Sequence, residues 1–203
     1  MSDPDLLTVQ ADSADTSLGW ATLGERRWRC TIGAGGARED KVEGDAATPV
    51  GTFPLRRLYF RNDRLVLPAV RLPARPISEH DGWCDDPRSS SYNRLVRIPN
   101  DWSHERLWRE DGLYDLLVVV GYNDDPPEGE WGSAIFLHIA RDDLSPTQGC
   151  VAFARDDLLE LVPLLTPKTM VQILGPSTTG RTPSAPADQP ESDLLEDFDE
   201  KDW

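Results

Sequence analysis

Cys150 directly follows Gly149 and lies twelve positions after His138, within the segment HIARDDLSPTQGCVAF. A thiol is a weak nucleophile until it loses its proton, and a neighbouring imidazole or a helix N-terminus lowers its pKa. A glycine beside the sulfur leaves room for a substrate carbonyl. The backbone N–H groups of Gly149 and Cys150 could then hold the oxyanion that develops. The chemistry open to this pair is acyl transfer through a thioester, with His138 as general base and then general acid. Plainer readings exist: a lone Cys is usually a small buried hydrophobe, and a lone His in an apolar strand is usually a satisfied core residue. Their adjacency, with a Gly at the turn, favours chemistry without deciding it, because Cys/His pairs have no signature that transfers between folds.

The elements that must position the pair read as mostly β. Short segments rich in Val, Ile, Leu and Phe alternate with Gly, Pro, Asp and Asn turns, which predicts strands at Leu6–Gln10, Trp28–Gly33, Gly51–Phe60, Arg64–Leu67, Leu95–Ile98, Leu116–Tyr122, Ile135–Ala140 and Met170–Leu174. The run LLVVVGY is continuously apolar and predicts a strand buried on both faces; IFLHI is similar except for His138 at its centre. Two helix signals stand out. Trp102, Leu107 and Trp108 have roughly helical spacing, and RDDLLELVPLL opens on acids and stops near Pro163. The second predicts one short helix soon after Cys150. The loop 68–93 is long and rich in Pro, a form that often carries function.

Composition narrows the classes. The chain of 203 residues has a net charge of -15, which argues against nucleic acid and against docking on anionic lipid. The clustered arginines Arg26, Arg27 and Arg29 read as solvated sheet faces. No apolar run approaches the roughly 20 residues that a bilayer requires. Residues 1–174 form one expected domain. Residues 175–203 carry eight acids against two bases, with many Pro and Ser, and are expected to be a disordered acidic tail that could dock a protein partner. The N-terminus lacks the basic and apolar regions of a secretory signal, which taken alone favours the cytoplasm. Three scattered cysteines are too few for a disulfide framework, although one pair plus a reactive thiol remains open. His80 and Cys84 are four apart and raise zinc, but a closed site needs four ligands with paired spacing.

Several residues could support the pair. Trp83, Tyr92 and Asn93 could line a groove for a peptide or glycan, or anchor their loop. Gly132 and Ser133 could flank the site. Ser145 and Thr147 could reach the thiolate, or simply make the turn.

The segment Gly132-Ser133-Ala134-Ile135-Phe136-Leu137-His138, followed by Pro146-Thr147-Gln148-Gly149-Cys150-Val151-Ala152, resembles the catalytic signature of the L,D-transpeptidase (YkuD-like) family. It is closest to a branch reading T-x-G-C-V-A where better-known members read S-H-G-C-I/V-R. Upstream, Lys41–Asp45, Thr48–Phe53, Asp81–Pro87, Tyr92-Asn93, Leu113–Asp115 and Gly121–Asn123 match the same branch in order. The resemblance implies a mostly antiparallel β sandwich or flattened barrel, with one or two short helices and a helix packed beside the nucleophile. It implies acyl transfer on peptidoglycan stem peptides through a thioester on Cys150, for cross-linking or remodelling of the cell wall. His138 would be the base, and Gly149 and Cys150 the oxyanion donors, with Thr147 and Gln148 near the substrate. No metal or cofactor is implied. A hydrolase on the same substrate (an L,D-carboxypeptidase or amidase) and a non-catalytic wall-binding module are the alternatives. The family is expected in the periplasm or wall, against the cytoplasmic reading of the N-terminus. Gln148 and Ala152 depart from the better-known pattern, which has His and Arg at these places.

Overall fold

The computed structural model describes residues 5–13 and 17–175. Its strands are β1 (Leu6–Ala11), β2 (Leu18–Leu23), β3 (Arg26–Thr31), β4 (Ala37–Arg38), β5 (Thr48–Pro49), β6 (Gly51–Phe60), β7 (Ala74–Pro76), β8 (Asp81–Cys84), β9 (Leu95–Arg97), β10 (His104–Arg106), β11 (Leu116–Val120), β12 (Phe136–Ile139), β13 (Val151–Phe153) and β14 (Met170–Ile173), with a single α-helix, α1 (Arg155–Leu161). The acidic tail expected over 175–203 lies, beyond Gly175, outside the described residues.

The main sheet runs β11-β12-β13-β3-β2-β1-β14-β6, and β6 also pairs with β11, so the sheet closes on itself like a barrel. Pairing is mostly antiparallel, as expected, but β1–β14, β6–β7 and β12–β13 are parallel. A second layer of three strands, β10-β8-β9, stands apart from the barrel sheet.

Side chains alternate across a strand, so each barrel strand can feed two cores. Leu116, Val118 and Val120 enter the barrel interior, whereas Leu117 and Val119 join a second cluster with Trp83, Leu107, Tyr114, Phe136 and Cys150. The LLVVV strand is therefore buried on both faces, as its composition requires. The same alternation sorts the strands that carry and follow the candidate pair. Leu137, Ile139, Val151 and Phe153 belong to the interior core. Phe136, His138, Cys150 and Ala152 are left for the opposite face.

Three expectations are corrected. Arg64–Leu67 is not a strand: the Arg64 and Leu65 N–H groups both donate to Arg61 O, and the segment turns. The Trp102–Trp108 stretch is not helical. His104–Arg106 pairs with β8, placing His104 opposite Cys84 and Glu105 opposite Trp83, so sheet pairing overrides the local spacing. Cys150 does not abut a helix N-terminus, since β13 lies between it and α1. The helix itself is as predicted: Asp156 and Asp157 occupy its first turn, Leu158 and Leu161 are buried, and Pro163 sits in the 3-10 turn that ends it.

Candidate active site

Parallel pairing of β12 and β13 sets His138 opposite Ala152 and Leu137 opposite Val151, so Cys150 comes beside Phe136, two residues along the strand from His138. Cys150 and His138 line one cavity of about 250 Å³, whose walls also carry Glu105, Tyr114 and Arg141. Both are nearly buried, at 7% and 6% exposure.

The turn before Cys150 is held rigidly. Thr147 N–H donates to Ile32 O at 3.0 Å, and Ala34 N–H donates to Thr147 O at 2.9 Å. The Thr147 hydroxyl donates to Cys150 O at 2.7 Å and accepts from Gly149 N–H at 3.1 Å. Thr147 thus fastens the backbone of the turn that carries Cys150. The Gly149 N–H expected to serve an oxyanion is already engaged by that hydroxyl. Gly149 has φ of +128°, and a Cβ there would fall 2.8 Å from Ala47 O. Gly149→Ala is therefore expected to lower stability by about 1–3 kcal/mol and to depress turnover, checked by thermal melts beside activity assays.

Cys150 Sγ makes two hydrogen bonds. It accepts from Phe136 N–H at 3.3 Å and donates to Ala134 O at 3.2 Å. No hydrogen bond joins it to His138 among the described residues. Neither means of acidifying the thiol, a bonded imidazole or an adjoining helix N-terminus, is found at Cys150 among the described residues. Burial pushes the Cys150 thiol up to about 12, helped by the charge of Glu105 and opposed by the Phe136 N–H and Lys41. The physical reason is desolvation, which penalises the thiolate, with no helix terminus to compensate. His138 is the complement: burial lowers its pKa to about 4, so its imidazole is neutral at pH 7. Its Nδ1 lies 2.8 Å from Ile139 O. A carbonyl can only accept, so Nδ1 carries the proton and Nε2 keeps its lone pair. The Tyr114 ring meets the imidazole edge-on at 5.3 Å.

A linkage prediction follows for stability. An unfolded imidazole titrates near 6.5, whereas His138 is held at about 4. Between those values the unfolded chain binds a proton that the folded protein excludes. Stability contributed by the neutral imidazole is present above about pH 6.5 and is lost as pH falls toward 4, by about 3 kcal/mol in all. Urea midpoints measured from pH 7 to 4 should show this fall, with His138→Gln flattening it.

The sequence-predicted site residues divide. Ser133, Ser145, Thr147 and Gln148 line the cavity with Cys150 and His138; Gln148 is exposed at its rim. Trp83, Tyr92, Asn93 and Gly132 do not line it. Trp83 and Asn93 border a separate cavity with Arg57 and Arg94. Trp83 packs edge-to-face on Phe136 and donates from Nε1 to Asn93 Oδ1 at 2.9 Å. Tyr92 donates its hydroxyl to Glu43 Oε2 at 2.6 Å, and Ser133 Oγ donates to the same oxygen at 2.9 Å. Trp83, Tyr92 and Asn93 each spend polar atoms on partners inside the protein, as an anchoring role requires, while Trp83 and Asn93 also border the separate cavity.

Glu43, Asp85, Glu105, Arg109, Tyr114 and Arg141 also line the cavity and were not singled out from the sequence. Glu105 Oε1 accepts from Tyr114 Oη at 2.7 Å and from Arg109 Nη1 at 3.4 Å. Burial raises the Glu105 carboxyl above the usual range despite these donors. Burial is also the leading cause that raises the Tyr114 phenol, with Cys150 and Glu105 adding to it. Lys41–Asp45, Asp81–Pro87 and Leu113-Tyr114-Asp115, all among the family matches, carried a sequence signal for Glu43, Asp85 and Tyr114; Glu105, Arg109 and Arg141 had none. Cys30, Cys84 and Cys150 are all free and buried, which removes the disulfide option. Among the described residues no three His, Cys, Asp or Glu side chains cluster so as to hold a metal.

The family model described as YkuD, L,D-transpeptidase catalytic domain, matches residues 8–173. Among solved structures, the chain is similar to Mycobacterium tuberculosis L,D-transpeptidase 1, with 14% identity and a TM-score of 0.36 over 84% of this chain and 60% of that one. The chain thus spans less than two thirds of that protein. No curated protein matches it.

Proposed function

Since the chain belongs to the L,D-transpeptidase catalytic-domain family, with residues 8–173 matched, we propose that it is a cysteine acyltransferase acting on peptidoglycan stem peptides. The observation that carries this reading is the shared face of β12 and β13. It gives one cavity a buried thiol and a neutral imidazole whose Nδ1 is tied to Ile139 O.

In this reading the Cys150 proton moves to His138 Nε2 as Sγ attacks the substrate carbonyl. The thiol is held up at about 12 and the imidazole down at about 4. A resting thiolate–imidazolium pair is therefore disfavoured, and proton transfer accompanies bond formation. The tetrahedral oxyanion is held by the Cys150 N–H, because the Gly149 N–H is committed to Thr147. Collapse forms the thioester, and the departing amine takes the proton from Nε2. An amine of a second stem peptide then resolves the thioester, completing a cross-link. Ala152 supplies no cation of its own; of the two arginines on the cavity wall, Arg109 is paired with Asp111 and Glu105, so Arg141 is the guanidinium available to a substrate carboxylate.

Water in place of the amine would make the protein a hydrolase. The exposed rim at Gln148 is the feature that leaves this second reading open. Peptidoglycan lies outside the cytoplasmic membrane, so we place the site of action in the periplasm or wall, a point that cell fractionation tests. No helix among the described residues is long and apolar enough to cross a membrane. Incubation with purified muropeptides, read by mass spectrometry, tests the function itself. Cross-linked dimers are expected. Trimmed monomers alone would assign the hydrolase, and unchanged muropeptides would leave only a binding module.

A further inference from the structure

Asn93 is buried, at 4% exposure, yet lies outside the Cys150 cavity. Its amide uses its full hydrogen-bonding capacity. Oδ1 accepts from Trp83 Nε1 at 2.9 Å and from Ala134 N–H at 3.1 Å. Nδ2 donates to Tyr122 O at 3.0 Å and to Asn123 O at 2.7 Å. Two donors and two acceptor sites are all that an Asn side chain offers. Its partner Ala134 has φ of +53°, a left-handed conformation that a non-glycine residue adopts only when its surroundings impose it. The residues before Ala134 are tied down as well: Asn123 Nδ2 donates to Gly132 O at 2.8 Å, and Ser133 Oγ donates to Glu43. The carbonyl presented by this strained residue accepts the Cys150 S–H.

We propose that Asn93 is a positioning residue for the nucleophile: it pins Ala134 in the left-handed conformation whose carbonyl holds the Cys150 thiol proton in the resting protein. The inference rests on reading Cys150 as the nucleophile. In this arrangement the thiol waits on Ala134 O, and attack requires S–H to turn from that carbonyl to His138 Nε2. Ala134 O can accept a proton in a hydrogen bond but cannot remove it, so it stabilises the neutral thiol. Asn93 thereby fixes where the sulfur sits and keeps it protonated until substrate arrives.

The test compares Asn93→Gly with Trp83→Phe in the full chain. Gly keeps the positive φ of residue 93, which is +54°, and removes the bridge. Trp83→Phe removes one donor to Asn93 Oδ1 but leaves the Ala134 N–H bond and both Nδ2 bonds in place. Cys150 is the thiol followed, by iodoacetamide labelling and peptide mass spectrometry across pH. With the Ala134 latch loosened, Asn93→Gly is expected to lower the alkylation midpoint by about one pH unit, near tenfold in rate at fixed pH below it. It should also lower kcat on muropeptides by about tenfold with KM little changed. Trp83→Phe should keep the parent midpoint. An unshifted midpoint in a folded Asn93→Gly protein, or an equal shift in both variants, overturns the proposal.

A measurement on the parent guards against variants that do not fold. The S–H stretch that disappears in Cys150→Ala should lie below the frequency of an unbonded thiol. A free-thiol frequency overturns the latch. These readouts do not depend on turnover, so failure of the latch is distinguishable from failure of the nucleophile reading, which shows as absence of any Cys150 thioester.

Discussion

Cys150→Ala is expected to abolish muropeptide processing, with a loss on the order of 10⁴-fold or more, measured as product formed per hour by mass spectrometry. The sulfur is the only protein atom in the proposed reaction that bonds to substrate carbon, so no neighbour can replace it. Cys30 and Cys84 are fully buried, and neither lines the cavity. The fold should survive. Cys150 packs in the second cluster with Trp83 and Phe136, and its removal frees a small volume and leaves the Phe136 N–H without its acceptor. Together these cost about 1–3 kcal/mol. Substrate affinity should stay close to that of the parent, because the cavity walls at Glu105, Tyr114 and Arg141 are untouched. A variant that still turns over substrate at the parent rate would refute the nucleophile assignment outright.

His138→Gln should lower kcat/KM by about 10²- to 10⁴-fold, the usual weight of a positioned general base. Gln preserves some of the volume and can donate to Ile139 O as Nδ1 does, but it offers no basic lone pair at the Nε2 position. The parent pH profile carries the sharper signature. A base with a pKa of about 4 stays deprotonated far below the ordinary imidazole range, so the acid limb of kcat/KM should fall near pH 4 and not near 6.5. The cause is burial of the ring on the face of β12 turned away from the barrel interior, against Tyr114. An acid limb at 6.5 would mean that the imidazole is hydrated in the working enzyme. His138→Gln should lose that limb altogether.

The pair is legible in the sequence because the strand that carries it is. IFLHI is apolar at every position but one, and period-2 alternation puts the exception on the face opposite Leu137 and Ile139. The LLVVV strand and α1 are legible for similar reasons, one from continuous hydrophobicity and the other from its leucine spacing and Pro163. β2 is not, because its inward positions Gly19 and Ala21 carry little hydrophobic signal and gain their place only by pairing with β1 and β3. β10 is misleading. Trp102, Leu107 and Trp108 imitate a helix, and only long-range pairing with β8 makes that segment a strand.

The cavity wall is the least legible part. Glu105, Arg109 and Arg141 are ordinary charges in the sequence, and nothing local distinguishes a charge that faces a buried thiol from one that faces water. Trp83, Tyr92 and Asn93 show the converse. Their types suggest ligand contact, yet they hold the second layer and the Ala134 turn. The environment of the Cys150 thiol is hidden for a related reason. A Gly-Cys turn ahead of a helix suggests a dipole at the sulfur, but three residues of strand intervene and burial governs instead.

The most direct test of the central claim is intact-protein mass spectrometry of the chain mixed with a stem-peptide substrate and quenched in acid within the first turnovers. A covalent adduct equal to the acyl portion of the peptide is expected, mapped to Cys150, absent in Cys150→Ala and released by added amine. Product formation with no adduct on Cys150, or an adduct that persists in Cys150→Ala, would contradict it.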